Sequence, residues 1–143
     1  MSISTQVLAK TVAELTAPGK GVLAADESTG TIEKRLKAVN VAATEEARRD
    51  YRELLFSTPG LGGFISGVIL FAETFKQNSA AGAPLTELLE TQGIVPGIKV
   101  DQGTVLLPYF PGETVTQGLD GLAQRLSEYK QLGARFAKWR AVL

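Results

Sequence analysis

Two charged pairs, Lys99 with Asp101 in GIKVD (97–101) and Lys138 with Arg140 in RFAKWRAVL (135–143), are spaced i, i+2 inside otherwise apolar runs. Along a β-strand that spacing puts both side chains of a pair on one face. Unpaired charge buried under a helical layer would cost several kcal/mol, so the spacing predicts a polar chamber where several strand ends converge. GVLAAD (21–26) ends in charge in the same way, at Asp26. A lysine near other cations in a partly desolvated pocket loses basicity and becomes nucleophilic or competent in proton transfer. Lys99 and Lys138 are the candidates, with Arg140 as the cationic neighbour of Lys138. The alternative is that each lysine pairs with an aspartate at a strand end or extends to water. Asp26 either bonds a substrate hydroxyl or acts as a base at the chamber mouth, or it serves the turn into the next helix. Asp101 neutralises Lys99. Ser28, Thr31 and Arg35 follow the first strand at a helix start, where hydroxyls, helix dipole and guanidinium suit a phosphate. They also fit a helix cap and an exposed helix face. Trp139, between Lys138 and Arg140, should face the helical layer as a packing residue.

Composition narrows the chemistry. The chain has no Cys and no His, so thiol nucleophiles, thiolate metal sites, the commonest zinc ligand and the commonest general base are all excluded. Catalysis must run on Lys, carboxylates, Tyr or Ser/Thr. Neither GxGxxG nor GxxxxGK[ST] occurs, so nucleotide-cofactor readings lose their main support, and neither a cofactor nor a metal is expected. Lys+Arg 15 balance Asp+Glu 15, which disfavours binding to nucleic acid or to an anionic membrane. No apolar run approaches the roughly 20 residues of a membrane span. The start, MSISTQVLAKTVAEL, lacks a signal or transit pattern, and a cytoplasmic location is expected.

The elements that must position these residues read as repeated βα units. Ile3, Val7, Leu8, Val12 and Leu15 share one helical face, and Ala17-Pro18-Gly19 ends that helix. After the strand GVLAA, Ser28 or Thr29 caps a helix carrying Ile32, Leu36 and Val39. Thr44, Glu45 and Glu46 open another, with Tyr51, Leu54 and Leu55 inward. FISGVILF (64–71) is a continuous apolar strand of the kind parallel sheets bury on both faces. Pro84 opens a short helix through Thr91. The strand around GIKVD leads into a long loop over 102–117, and Leu119, Leu122, Leu126 and Tyr129 mark a helix ended by Gly133. RFAKWRAVL is the fourth strand. Strand runs near 21, 66, 97 and 136 predict an α/β fold with a parallel sheet and one domain over 1–143. Charges at the ends of three of the strands favour a barrel over an open sheet. A full barrel takes about 250 residues, so these strands correspond to the first half of a (β/α)8 barrel, truncated at the fourth.

GKGVLAADESTGTIEKRL, SGVILFAET, GIVPGIKVDQGTV, GETVTQGLDGLAQR and ARFAKWRAVL resemble, in order and spacing, the amino-terminal part of class I fructose-bisphosphate aldolases. The resemblance implies a TIM-barrel lyase of glycolysis and gluconeogenesis. Such an enzyme reversibly cleaves fructose 1,6-bisphosphate to dihydroxyacetone phosphate and glyceraldehyde 3-phosphate through a Schiff base, without metal, as a cytoplasmic homotetramer. It implies that Asp26 contacts the substrate hydroxyl whose proton is lost on cleavage, and that Lys138 assists imine formation and charge stabilisation. Lys99 and Arg140 become cationic substrate contacts, and Ser28, Thr31 and Arg35 line one phosphate end. The family's imine-forming lysine follows residue 143, so the chain alone is expected to be inactive. PYFPGET and Gln102 depart from the family's usual loop. The residues taken without the family leave two further readings open: a non-catalytic half barrel that binds sugar phosphate or a complementary chain, and Lys138 itself as Schiff-base nucleophile.

Overall fold

The computed structural model describes residues 5–142. Ile3 and Leu143, named above in the first helix and last strand, lie outside them. In chain order the elements are α1 (Thr5–Leu15), β1 (Gly21–Ala25), α2 (Thr29–Ala38), α3 (Glu45–Phe56), a 3-10 turn (Leu61–Gly63), β2 (Ile65–Leu70), a second 3-10 turn (Thr74–Lys76), α4 (Leu85–Glu90), β3 (Val95–Lys99), β4 (Thr104–Leu106), β5 (Thr114–Thr116), α5 (Leu122–Gln131) and β6 (Phe136–Lys138). β1, β2, β3 and β6 form one sheet in that order, every pairing parallel. The four expected strands and their intervening helices are therefore present, in an α/β arrangement, but the last strand is only Phe136–Lys138, and Trp139 and Arg140 lie beyond it.

The register sorts each strand into two faces. Leu23, Val68 and Pro96 align in one row and Ala25, Leu70 and Ile98 in another, all on the side facing the helices. Ala25, Val68, Leu70 and Ile98 join Phe56, Phe75, Leu85 and Leu89 in the buried core, and Trp139 packs against its edge as a packing residue should. The opposite face carries the row Ala24, Ile69, Gly97, Phe136. There the Phe136 ring lies so close to β3 that a Cβ at Gly97 would sit 2.3 Å from it. Gly67 is similarly filled by Leu15 of α1, whose terminal methyl would be 2.5 Å from an added Cβ. α1 closes the amino-terminal end of this face: Ser66 Oγ donates to the Leu15 carbonyl at 2.7 Å, and Arg135 Nη2 to Thr11 Oγ1 at 3.2 Å.

Several helical faces differ from their sequence reading. Val7, Leu8 and Val12 of α1 are exposed while Thr11 is buried, because the helix crosses the strand ends instead of covering a sheet face. On α3 the buried stripe is Arg52 and Phe56, and Leu54 is exposed; apolar periodicity could not count an inward arginine. Val39 is exposed at the C-cap of α2, and Leu119 is exposed ahead of α5. Phe64 is exposed just before β2, which begins at Ile65. The segment read as loop over 102–117 contains the antiparallel hairpin β4–β5, whose strands are too short to show alternation.

Candidate functional site

A cleft of about 1010 Å³ opens at the carboxyl ends of the parallel strands. Asp26, Ser28, Thr31, Arg35, Lys99, Lys138 and Arg140 all line it, so every residue singled out from the sequence is brought to one place. Lys99 and Lys138 are direct register partners on β3 and β6, so their side chains leave adjacent backbone positions on the same face of the sheet. Each has a carboxylate. Lys138 Nζ donates to Asp26 Oδ2 at 2.6 Å, and Lys99 Nζ donates to Asp101 Oδ1 at 2.6 Å and to the Asp101 carbonyl at 3.0 Å.

The Lys138–Asp26 contact joins the two edge strands of the sheet. Flat, four strands would hold those edges about 14 Å apart at the usual 4.8 Å spacing, beyond the combined reach of the two side chains. The sheet is therefore curled towards its inner face, as a barrel wall is. Asp101 also accepts from the backbone N–H of Gly103 at 3.4 Å and of Arg140 at 3.3 Å. Its burial works to raise the carboxyl pKa, but the hydrogen bond and charge of Lys99, with those backbone donors, outweigh it and hold the group below its ordinary value. Thr116 Oγ1 donates to the Arg140 carbonyl at 2.8 Å, tying the β4–β5 hairpin to the rim. Arg125 of α5 braces the same rim by donating to the carbonyls of Val100, Gly118 and Asp120.

Opposite the lysines, the first turn of α2 presents Ser28 and Thr31 with their hydroxyls 3.1 Å apart. Ser28 occupies the N-cap position, yet its side chain makes no capping bond to the helix backbone. Arg35, one turn further on, is ion-paired with Glu27. Together these groups can hold a dianionic oxygen cluster between helix start, guanidinium and the two strand-end lysines.

Sequence reasoning missed the layer behind. Glu27, buried at the end of β1, also faces Arg52 of α3, with 2.9 Å between Oε2 and Nη1. Glu73, after β2, takes two bonds from Arg48 at 2.5 and 2.9 Å, and the first of these effects, the hydrogen bonding, holds its carboxyl below the ordinary range. Arg48 and Arg52 are one helical turn apart in EEARRDYRELLF, where they look like further surface charges. The available signal was their spacing from Phe56, which puts all three on one stripe. Among the described residues no group of three or more His, Cys, Asp or Glu could hold a metal ion, and no helix is long and apolar enough to cross a membrane.

Residues 7–143 match the family model described as fructose-bisphosphate aldolase class-I. The chain belongs to the class I fructose-bisphosphate aldolases. It is 57% identical over 136 residues to fructose-bisphosphate aldolase 1 of Toxoplasma gondii, covering 95% of this chain and 38% of that protein. It is 61% identical over 126 residues to the cytosolic fructose-bisphosphate aldolase 6 of Arabidopsis thaliana, covering 88% and 35%. The Plasmodium falciparum aldolase, solved in complex with TRAP and a small-molecule inhibitor, superposes with a TM-score of 0.95 at 53% identity over 100% of this chain and 42% of that one. This aldolase chain thus spans about two fifths of the length of the relatives it matches. Its four parallel strands correspond to the amino-terminal part of the aldolase barrel, in agreement with the fold expected from the sequence.

Proposed function

We propose that this chain supplies one side of a fructose-bisphosphate aldolase active site, for reversible Schiff-base cleavage of fructose 1,6-bisphosphate to dihydroxyacetone phosphate and glyceraldehyde 3-phosphate without a metal or cofactor. The observation that carries the reading is the Lys138–Asp26 pair, set across the curled sheet inside a cleft that also gathers Lys99, Arg140, Arg35, Ser28 and Thr31. In this reading Asp26 takes the proton of a substrate hydroxyl as the carbon–carbon bond breaks, and Lys138, whose Nζ donates to Asp26 Oδ2 at 2.6 Å, steadies the carboxylate and assists imine formation. Lys99 and Arg140 contact the polar substrate backbone, while Ser28, Thr31 and Arg35 receive one phosphate. The lysine that forms the imine is assigned to a part of the family's barrel outside residues 1–143, so these residues alone should bind without turnover. Cytosolic relatives support a cytoplasmic enzyme, and a homotetramer is the assembly expected of the complete barrel.

The test is substitution within the longest polypeptide that contains this chain. Lys138→Met should lower turnover about 10²- to 10⁴-fold, the usual loss of an acid/base participant, with the fold retained. Arg35→Ala should raise KM more than it lowers kcat. Near-normal turnover in Lys138→Met would refute the assignment. Borohydride trapping with substrate on residues 1–143 should label neither Lys99 nor Lys138; a label on either would make that lysine the nucleophile. The exposed Val7, Leu8 and Val12 of α1 and Val22 of β1 favour a second reading, in which this half barrel binds a complementary chain.

A further inference from the structure

Arg52 lies on α3 behind the cleft, and nothing in the proposed chemistry uses it. Its side chain is only 4% exposed. Burial pushes its pKa down, opposed chiefly by the charge of Glu27, and a cation so placed is retained only with a partner. Glu27 is that partner: Oε2 is 2.9 Å from Arg52 Nη1, and Arg52 Nη2 donates to the Glu27 carbonyl at 3.1 Å. The other carboxylate oxygen of Glu27 faces Arg35. One carboxylate therefore stands between a buried guanidinium and a second one that is 57% exposed on the cleft wall.

The buried half of this arrangement is incompletely made. Arg52 Nε and Nη1 and Glu27 Oε2 are buried without a hydrogen-bond partner among the described residues, although Nη1 and Oε2 lie within ion-pair range. Close approach without alignment leaves hydrogen bonds still to be gained, and a small rotation of the carboxylate towards Arg52 would gain them. The same rotation withdraws Glu27 from Arg35.

We propose that Arg52 is a positioning residue that sets how readily Glu27 releases Arg35 to an entering phosphate. The proposal rests on the reading of the cleft as a sugar-phosphate site. In the free protein Glu27 occupies Arg35, and a phosphate must compete with that carboxylate. When Arg35 leaves, Glu27 would be a buried anion with no counter-charge were Arg52 not behind it, holding unused donors. Arg52 takes up the carboxylate as Arg35 turns outward, so the exchange strands no charge.

Isothermal titration calorimetry with inorganic phosphate and with fructose 1,6-bisphosphate tests this on the chain, or on the longer polypeptide where it forms part of one. Glu27→Gln, which keeps an acceptor oxygen for Arg52 but removes the competing charge, should tighten phosphate binding about two- to five-fold, the range of one exposed ion pair. Arg52→Met should weaken it by a similar factor, because an uncompensated Glu27 keeps Arg35. In the double variant the Arg52→Met effect should vanish. A purely structural Arg52 would instead weaken binding equally in both backgrounds, and that result, or unchanged or weaker binding in Glu27→Gln, overturns the proposal. Circular dichroism checks the fold; should Arg52→Met not fold, Arg52→Gln, which keeps donors but no charge, takes its place, with weaker binding expected and that effect lost in the Glu27→Gln background. Wild-type protein that binds neither ligand would refute the sugar-phosphate reading itself, whereas normal wild-type binding with insensitive variants refutes the role of Arg52 alone.

Discussion

Gly97→Ala tests whether the inner face of the sheet, two residues below the lysines, sets the geometry of the site. The added methyl would lie 2.3 Å from Phe136 Cζ and 2.4 Å from Cε1, about 1 Å short of ordinary van der Waals contact. Either β6 lifts away from β3 or Phe136 leaves its place, and overpacking of this kind costs about 1–3 kcal/mol. For a chain of this size that corresponds to a fall in Tm of roughly 3–10 °C. Because Phe136 and Lys138 share one face of β6, the displacement should also open the 2.6 Å Lys138–Asp26 contact. Thermal unfolding followed through the single Trp139, which packs beside the same strand end, reads both stability and local environment. Phe136→Leu should recover part of the loss, with a coupling of at least about 0.5 kcal/mol in the double-mutant cycle. Wild-type stability in Gly97→Ala, or strict additivity with Phe136→Leu, would refute the packing argument.

Other expectations follow from the rim. Asp101 and Glu73 both have carboxyl pKa values held below normal in the folded state, so each contributes stability that is complete above the unfolded range and is lost as pH falls below about 4. Asp101→Asn should therefore flatten the acid limb of a stability–pH profile measured by urea unfolding, and an unchanged limb would contradict it. Arg125→Ala removes three charge-assisted bonds to loop carbonyls and should cost about 1.5–3 kcal/mol for the strongest of them. Hydrogen exchange should show the accompanying loosening first at Gly118 and Asp120; uniform protection there would argue against the bracing role.

The inner faces were legible at Lys99 and Lys138, which are strand residues whose alternation fixes their side, whereas Asp101 and Arg140 follow the strand ends and reach the cleft from the connecting segments. The partners of those charges were not equally legible. Lys99 meets Asp101 two residues away, but Lys138 meets Asp26 across 112 residues, a contact that no local pattern encodes. Arg52 was hidden for a different reason. In a helix whose sequence is mostly charged, an inward guanidinium has the same local signature as an outward one, and only the buried Glu27 it neutralises distinguishes them. The β4–β5 hairpin escaped because strands of three residues between glycines and prolines carry too little alternation to register.

These differences meet in the curl of the sheet. Lys138 can reach Asp26 only if β1 and β6 approach across the inner face, and that approach needs narrow residues where the strands bend inward. Gly67 and Gly97 supply the space, and Leu15 and Phe136 occupy it, so the middle of the inner face is filled by side chains while Val22 at the β1 edge stays exposed. The carboxyl-terminal half, one row further on, receives the lysines and aspartates instead. A two-residue step along β3, from Gly97 to Lys99, and along β6, from Phe136 to Lys138, thus leads from a row filled by the Phe136 ring to a charged cleft. The chemistry and the curvature are consequently not separable: a side chain added at Gly97 acts on the ion pair at Asp26 without touching it.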